Sequence, residues 1–239
     1  LKIIGDIGTD GGAYNAMQFG GSGIDEMSVE SRLTLTNMTT EAGAKNGIIE
    51  ADQKTINYLQ QRGATNLKQI KSDDDAEYAK VFEYEASEIE PVVAKPFSPE
   101  NITQVRDVSS VELDKAYIGS CTGAKYEDLL AAAKILKGKQ VKIRTEVLPA
   151  AISIYKKAMQ DGLLQIFIDA GAMVGPPTCG ACCGAHMGVL AKDEICISTT
   201  NRNFPGRMGH IDSQTYLASP LVAAASAVTG KITDPRDLN

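Results

Sequence analysis

Along this chain, segments with a helical repeat of apolar residues alternate with short runs of β-branched and apolar residues, and that alternation limits the fold more than any other feature. A crossover helix after each strand brings the chain back in the same direction, so the pattern predicts α/β units with mainly parallel sheets rather than a bundle or a sandwich. The clearest unit begins with a strand from Lys115 to Ile118, turns over small residues from Gly119 to Lys125, and continues as a Leu- and Ala-rich helix from Glu127 to Leu136, with Gly138 as its stop. A second unit pairs a strand at Val141 to Val147 with a helix at Ala151 to Met159 that Gly162 closes. Ser219 and Pro220 form an N-cap and first-position proline for Leu221 to Val228, with Gly230 past its end.

The first part of the chain is less regular. Val29, Leu33, Leu35 and Met38 predict a helix over Ser28 to Ala42 that stops at Gly43, followed by a strand at Gly47 to Ile49. Asp52 is a plausible N-cap for a helix carrying Ile56, Tyr58 and Leu59. Lys71 to Glu77 reads as a loop, and Val81 to Tyr84 and Val92 to Lys95 read as strands. Pro96 to Ser110 is poor in large apolar residues, which places a boundary between two α/β domains, 1–105 and 106–239. The chain opens on Leu1, Ile3 and Ile4 without an initiator Met, so an upstream segment is expected.

At 239 residues and 43% hydrophobic the chain can bury one sizeable core or two modest ones. No run of about 18 apolar residues exists and no basic-then-apolar leader opens the chain, so no membrane partner is expected and a cytoplasmic location is the default. With a formal net charge of −6 and scattered Lys and Arg, the basic footprint of a nucleic-acid binder is missing. Five cysteines, all in the second half at 121, 179, 182, 183 and 196, do not suit a secreted disulfide framework. Reduced thiols or metal ligands are expected instead.

Cys121 lies in Tyr117-Ile-Gly-Ser-Cys-Thr-Gly, and Cys179 and Cys182 lie in Pro176-Pro-Thr-Cys-Gly-Ala-Cys-Cys-Gly. Small neighbours let backbone approach a bulky ligand. A Cys-x2-Cys pair can direct two thiolates at one inorganic centre, which a distant third cysteine completes. A cubane cluster held by three cysteines keeps one iron free of protein ligands, and that iron can act as a Lewis acid. Structural zinc and a thioredoxin-like dithiol at Cys179 and Cys182 remain open at this stage, although zinc wants further partners and the chain has only His186 and His210. Cys196, within Ile195-Cys-Ile, reads as a core thiol, and Cys183 permits a competing Cys-x3-Cys register.

A second constellation is Ser198-Thr-Thr-Asn-Arg-Asn-Phe-Pro-Gly-Arg207. Two arginine forks five positions apart suit an acid with two or three carboxylates, or else pair with local acids. Gly119 to Lys125 lacks the spacing of a phosphate loop, and the glycines at 20, 21 and 23 lack that of a dinucleotide fingerprint.

Taken in order, Ile118-Gly-Ser-Cys-Thr-Gly, Pro177-Thr-Cys-Gly-Ala-Cys-Cys-Gly and Ser198 to Arg207 resemble the three signature blocks of the aconitase superfamily. Arg32 to Met38, Glu41 to Ala44 and Tyr216 to Ala227 are similar to large subunits of its archaeal-type isopropylmalate dehydratase and homoaconitase branch, so the resemblance spans essentially the whole chain. It implies an iron–sulfur fold in which Cys121, Cys179 and Cys182 hold a [4Fe–4S] cluster while Asn201, Arg202 and Arg207 line the substrate pocket. It further implies a hydro-lyase that dehydrates and rehydrates a small hydroxy acid, 3-isopropylmalate of leucine biosynthesis or else homoaconitate. The catalytic serine is expected on a separate small subunit, and a histidine–aspartate pair on a domain preceding Leu1, so this chain alone is expected to be inactive. Gln18 stands where aconitases carry a glutamate; as an amide it can only orient groups by hydrogen bonding.

Overall fold

The computed structural model describes residues 1–238. Two compact units emerge, one of Asp10–Ile89 and one combining Leu1–Thr9 with Glu90–Asn239. Helix α1 (Lys2–Ile7) belongs to the larger unit, and a Cβ on its Gly5 would collide with the side chain of Ile102.

The smaller unit contains β1 (Ala16–Phe19), α2 (Ser22–Glu26), α3 (Val29–Met38), β2 (Asn46–Ile49) and α4 (Gln53–Gln60). The two strands run parallel, with Gln18 opposite Ile48. Ser28 caps α3 by accepting from the Ser31 N–H, and Asp52 caps α4 by accepting from that of Thr55. Apolar spacing misidentifies the inward face of α3: Leu33 is 44% exposed, while Arg32 is buried. Its guanidinium satisfies the carbonyls of Ile24 and Asp25 and reaches the Asp52 carboxylate at 2.6 Å, so a polar hub joins α2, α3 and α4. The predicted helix to Ala42 ends as α-helix at Met38 and closes as a 3-10 turn over Thr39–Ala42. The strand predicted at Val81 to Tyr84 does not form; no neighbouring strand pairs with it, and Val81 and Phe82 are exposed.

In the larger unit come β3 (Val92–Ala94), β4 (Ile102–Gln104), β5 (Lys115–Ile118), α5 (Ser120–Gly123), α6 (Tyr126–Leu136), β6 (Arg144–Val147), α7 (Ile152–Gln160), α8 (Leu163–Asp169), β7 (Met173–Val174), β8 (Ile195–Ser198), β9 (Gln214–Leu217) and α9 (Pro220–Thr229). They build one sheet in the order β4-β3-β9-β8-β5-β6-β7. The five strands from β9 to β7 are parallel, and the β3–β4 hairpin adds antiparallel to β9. Sequence reading predicts no strand within Pro96 to Ser110, but β4 lies there, Ile102 to Gln104 pairing with β3. It also passes over α8, which begins directly after Gly162, a residue in the left-handed region at φ 75° that reverses the chain between α7 and α8. Among the described residues no helix is long and apolar enough to cross a membrane.

The two faces of the sheet are covered differently. On one, Ala116, Ile118, Val147, Ile197 and Tyr216 pack with residues of α6, α8 and α9, including Leu129, Leu136, Phe167 and Ala224. Leu129, Ala132, Ala133 and Leu136 recur at helical spacing, and small residues on α9 let the helices approach closely. On the other face Tyr117, Leu148 and Cys196 meet Ala181, Cys182, Leu190 and Met208. The last four come from irregular chain between β7 and β9, so loops form the second layer here.

Candidate iron–sulfur site

From β5 the chain steps to β6 and β7 on one side, whereas β8 and β9 lie on the other. The carboxyl ends of β5 and β8 therefore flank a topological switch point, where open α/β sheets leave a crevice. Cys121 follows β5 in α5, and Thr199, Thr200, Asn201 and Arg202 follow β8. The two loops are stitched together. The Thr199 N–H donates to the Tyr117 carbonyl at 3.0 Å, the Gly119 N–H donates to Thr199 Oγ1 at 2.9 Å, and that hydroxyl donates back to the Gly119 carbonyl at 2.9 Å. Ser120 sits at φ 78°, a sparsely populated conformation for a residue with a side chain, while its Oγ accepts from the Thr122 N–H at 3.0 Å. Such strain concentrates where a chain must present a functional group.

The Cys179–Cys182 loop leaves β7 through Gly175, whose N–H donates to the Val147 carbonyl at 3.0 Å, and forms a 3-10 turn over Gly180–Cys183. The Tyr117 hydroxyl donates to the Cys179 carbonyl at 2.7 Å. Glycine is required next, because Gly180 lies at φ 50° and a Cβ there would stand 3.0 Å from Leu148 Cδ2 and 3.2 Å from the Tyr117 hydroxyl. Cys182 is buried in the loop layer, while Cys121, Cys179 and Cys183 are exposed.

Burial pushes the Cys182 thiol above its usual range; the Arg207 guanidinium, hydrogen-bonded to it, opposes that rise, and Cys179 and Cys121 add to it. The Tyr117 ring packs against Cys182 and its hydroxyl holds the Cys179 carbonyl, so the strand that leads into Cys121 also carries the loop of the other two cysteines. Arg207 also lies 5.5 Å from the Phe204 ring centre, and its Nε is buried without a hydrogen-bond partner in the protein. An unmet buried donor costs about 1–3 kcal/mol, a deficit that an anion in the crevice would remove. Asn201 and Arg202 are half-buried and engaged with neighbouring groups. Asn203 braces their loop by donating to the carbonyls of Lys95 at 2.9 Å and Thr215 at 3.1 Å. Among the described residues no three Cys, His, Asp or Glu side chains gather around a point as one bound ion would need. A cubane takes one thiolate per iron corner, so its sulfur ligands stand further apart than those around a single ion.

Gln18 lies on β1 in the smaller unit, where its amide nitrogen donates to Glu50 at 3.3 Å and to Ser72 at 2.9 Å, and its Oε1 accepts from Tyr78 at 3.1 Å. The sequence-based reading misses Tyr117, whose hydroxyl ties the first cysteine's strand to the second cysteine's loop. A tyrosine in an apolar strand carries no local signal of a partner 62 positions away.

A parallel sheet with cysteine- and arginine-bearing loops at its switch point fits a known class: the chain belongs to the aconitase family (aconitate hydratase), whose model matches residues 1–110 and 103–230. Within that family it is similar to the protein named 3-isopropylmalate dehydratase large subunit in Clostridium kluyveri, with 52% identity over 240 residues covering all of this chain and 57% of that protein. It is 52% identical over 242 residues to 3-isopropylmalate dehydratase large subunit 1 of Pyrococcus abyssi, again covering 57% of the relative. To the corresponding protein of Methanopyrus kandleri it is 48% identical over 238 residues, 99% of this chain and 57% of the relative. The chain thus spans somewhat more than half the length of these relatives.

Proposed function

We propose that this chain is the cluster-holding, carboxylate-binding portion of a 3-isopropylmalate dehydratase large subunit, a cytoplasmic hydro-lyase of leucine biosynthesis that works with a small subunit. The observation carrying this reading is that β5, which leads into Cys121 at the β5/β8 switch point, holds the Cys179–Cys182 loop through Tyr117. In this reading the chain holds parts of the family's second and third domains.

The residues suit a [4Fe–4S] cluster. Cys121, Cys179 and Cys182 would each bind one iron, small residues around them admit a bulky group, and the unpartnered Nε of Arg207 provides a donor for sulfide or carboxylate. When bound, such a cluster supplies one iron free of protein ligands, a Lewis acid for the substrate's hydroxyl and carboxylate. Arg207 and Arg202 offer planar forks that grip carboxylates and hold the acid in one orientation. Asn201 adds an amide able to donate and accept, and Gln18 is assigned an orienting role through its hydrogen bonds. The apolar packing of Cys182 with Tyr117 and Leu148 would exclude water beside that thiolate when a cluster is bound. The proton on carbon is assigned to a serine of the small subunit, and the remaining length of the relatives is needed for turnover.

Anaerobic reconstitution with iron and sulfide should give a brown chain whose reduced-cluster EPR signal shifts on addition of 3-isopropylmalate. Arg207→Ala should weaken that response about tenfold or more, the loss expected for about 1.5–3 kcal/mol of a hydrogen bond to a charged group. A colourless chain binding one zinc, or a cluster indifferent to the acid, contradicts the reading.

A further inference from the structure

Beneath the cysteine loop lies an ion pair that the reading above does not use. The Lys115 side chain on β5 is fully buried, and its Nζ donates to Glu146 Oε2 on β6 at 2.8 Å, with the Glu146 side chain 4% exposed. Replacing a buried pair of this kind by apolar residues is often neutral or stabilising, so stability alone is a weak reason for its presence. The same Nζ also donates to the carbonyl of Gly188, nine residues beyond Cys179. Gly188 sits at φ 71°, and a Cβ there would strike both the Glu146 carboxylate and Lys115 Nζ. At this point the loop backbone is drawn directly onto the pair.

Two residues further along β5, on the same face, the Tyr117 hydroxyl holds the Cys179 carbonyl, and Tyr117 is the register partner of Glu146. One strand therefore grips the 179–188 loop at both ends, and the same strand runs on through Gly119 into Cys121. The thiols of two segments far apart in sequence are referenced to a single rigid element.

We infer that Tyr117 and the Lys115–Glu146 pair are positioning residues that set the Cys179–Cys182 loop against Cys121, so that the three thiols fit one cluster. The inference rests on the cluster reading above and deepens it. Tyr117 and Lys115 fix the backbone that carries the ligands, as outer-shell groups do at metal sites, where their loss typically costs about 10–100-fold in metal affinity.

The test uses this chain reconstituted anaerobically with ferrous iron and sulfide, comparing the parent with Tyr117→Phe and with the double variant Lys115→Met, Glu146→Leu. Phenylalanine keeps the ring and removes only the hydroxyl. The double change removes the Gly188 anchor without stranding a charge. Both apo-variants should melt within a few degrees of the parent, yet release iron to a chelator about tenfold or more faster and give a broadened cluster EPR signal. Parent and variants that load iron and release it equally, with superimposable EPR spectra, overturn the positioning role and leave the cluster reading standing. A parent chain that takes up no iron overturns both. If the double variant fails to fold, Tyr117→Phe decides alone.

Discussion

At Gly123 the loop bearing Cys121 touches the loop bearing Asn201 and Arg202, because a Cβ there would run into the carbonyl and side chain of Thr199. A flexible side chain could turn away, but the backbone of Thr199, whose N–H donates to the Tyr117 carbonyl, cannot do so freely, so the two loops must part. Gly123→Ala is therefore expected to lower stability by about 1–3 kcal/mol, the usual cost of overpacking, and to lower iron retention in the reconstituted chain. Thermal melting and chelator kinetics check this; an unchanged melt with full iron retention would show that the loops are not in register-critical contact. The cysteines themselves are legible from sequence, since thiols bracketed by Gly, Ala, Pro and Thr stand out in any chain. The supports are not. Tyr117, Lys115 and Glu146 act through partners 31 to 73 positions away, and a lysine inside a strand looks like a surface residue until the fold encloses it.

At the scale of elements, the smaller unit depends on Arg32, whose guanidinium gathers the end of α2, the cap of α4 and its own helix. The hydrogen bond from Arg32 holds the Asp52 carboxyl well below the usual carboxylate range, assisted by the Thr55 N–H. A carboxyl depressed in the folded state contributes stability that is complete above its unfolded value, about 4, and is lost as pH falls below it toward the folded value. The protection of the α4 amides, measured as exchange relative to the intrinsic rate at each pH, should therefore fall between about pH 4 and pH 2. Asp52→Asn should cost about 1–2 kcal/mol at neutral pH, combining a weakened cap with a lost charge, and should flatten that acid dependence. An α4 that keeps the parent's acid response in this variant would remove Asp52 from the role. Legibility divides along the same line. The caps at Asp52 and Ser219 are readable because side-chain oxygens at helix starts have a local signature. The inward face of α3 is not, because the group it buries is a guanidinium whose partners come from two other helices.

For the whole molecule, the alternation of helical and β-branched segments correctly specifies parallel strands, and the β5–α6 and β6–α7 units stand close to where the sequence puts them. Other features escape it: β3 is read as a strand, but its short partner β4, set among Pro and polar residues, is not; β9 and α8 go unread as well, and nothing local reveals that loops instead of helices cover one face of the sheet. That last feature makes the site: the loop layer places Cys182 against Tyr117 and Leu148, and the switch point brings the other two segments to the same edge. The most direct measurement is iron and acid-labile sulfide content after anaerobic reconstitution of five single Cys→Ser variants. About four of each per chain are expected in the parent and in the variants at Cys183 and Cys196, with loss in those at Cys121, Cys179 and Cys182. Full cluster content without Cys121, or loss on changing Cys183 in place of Cys182, would contradict the proposed ligand set.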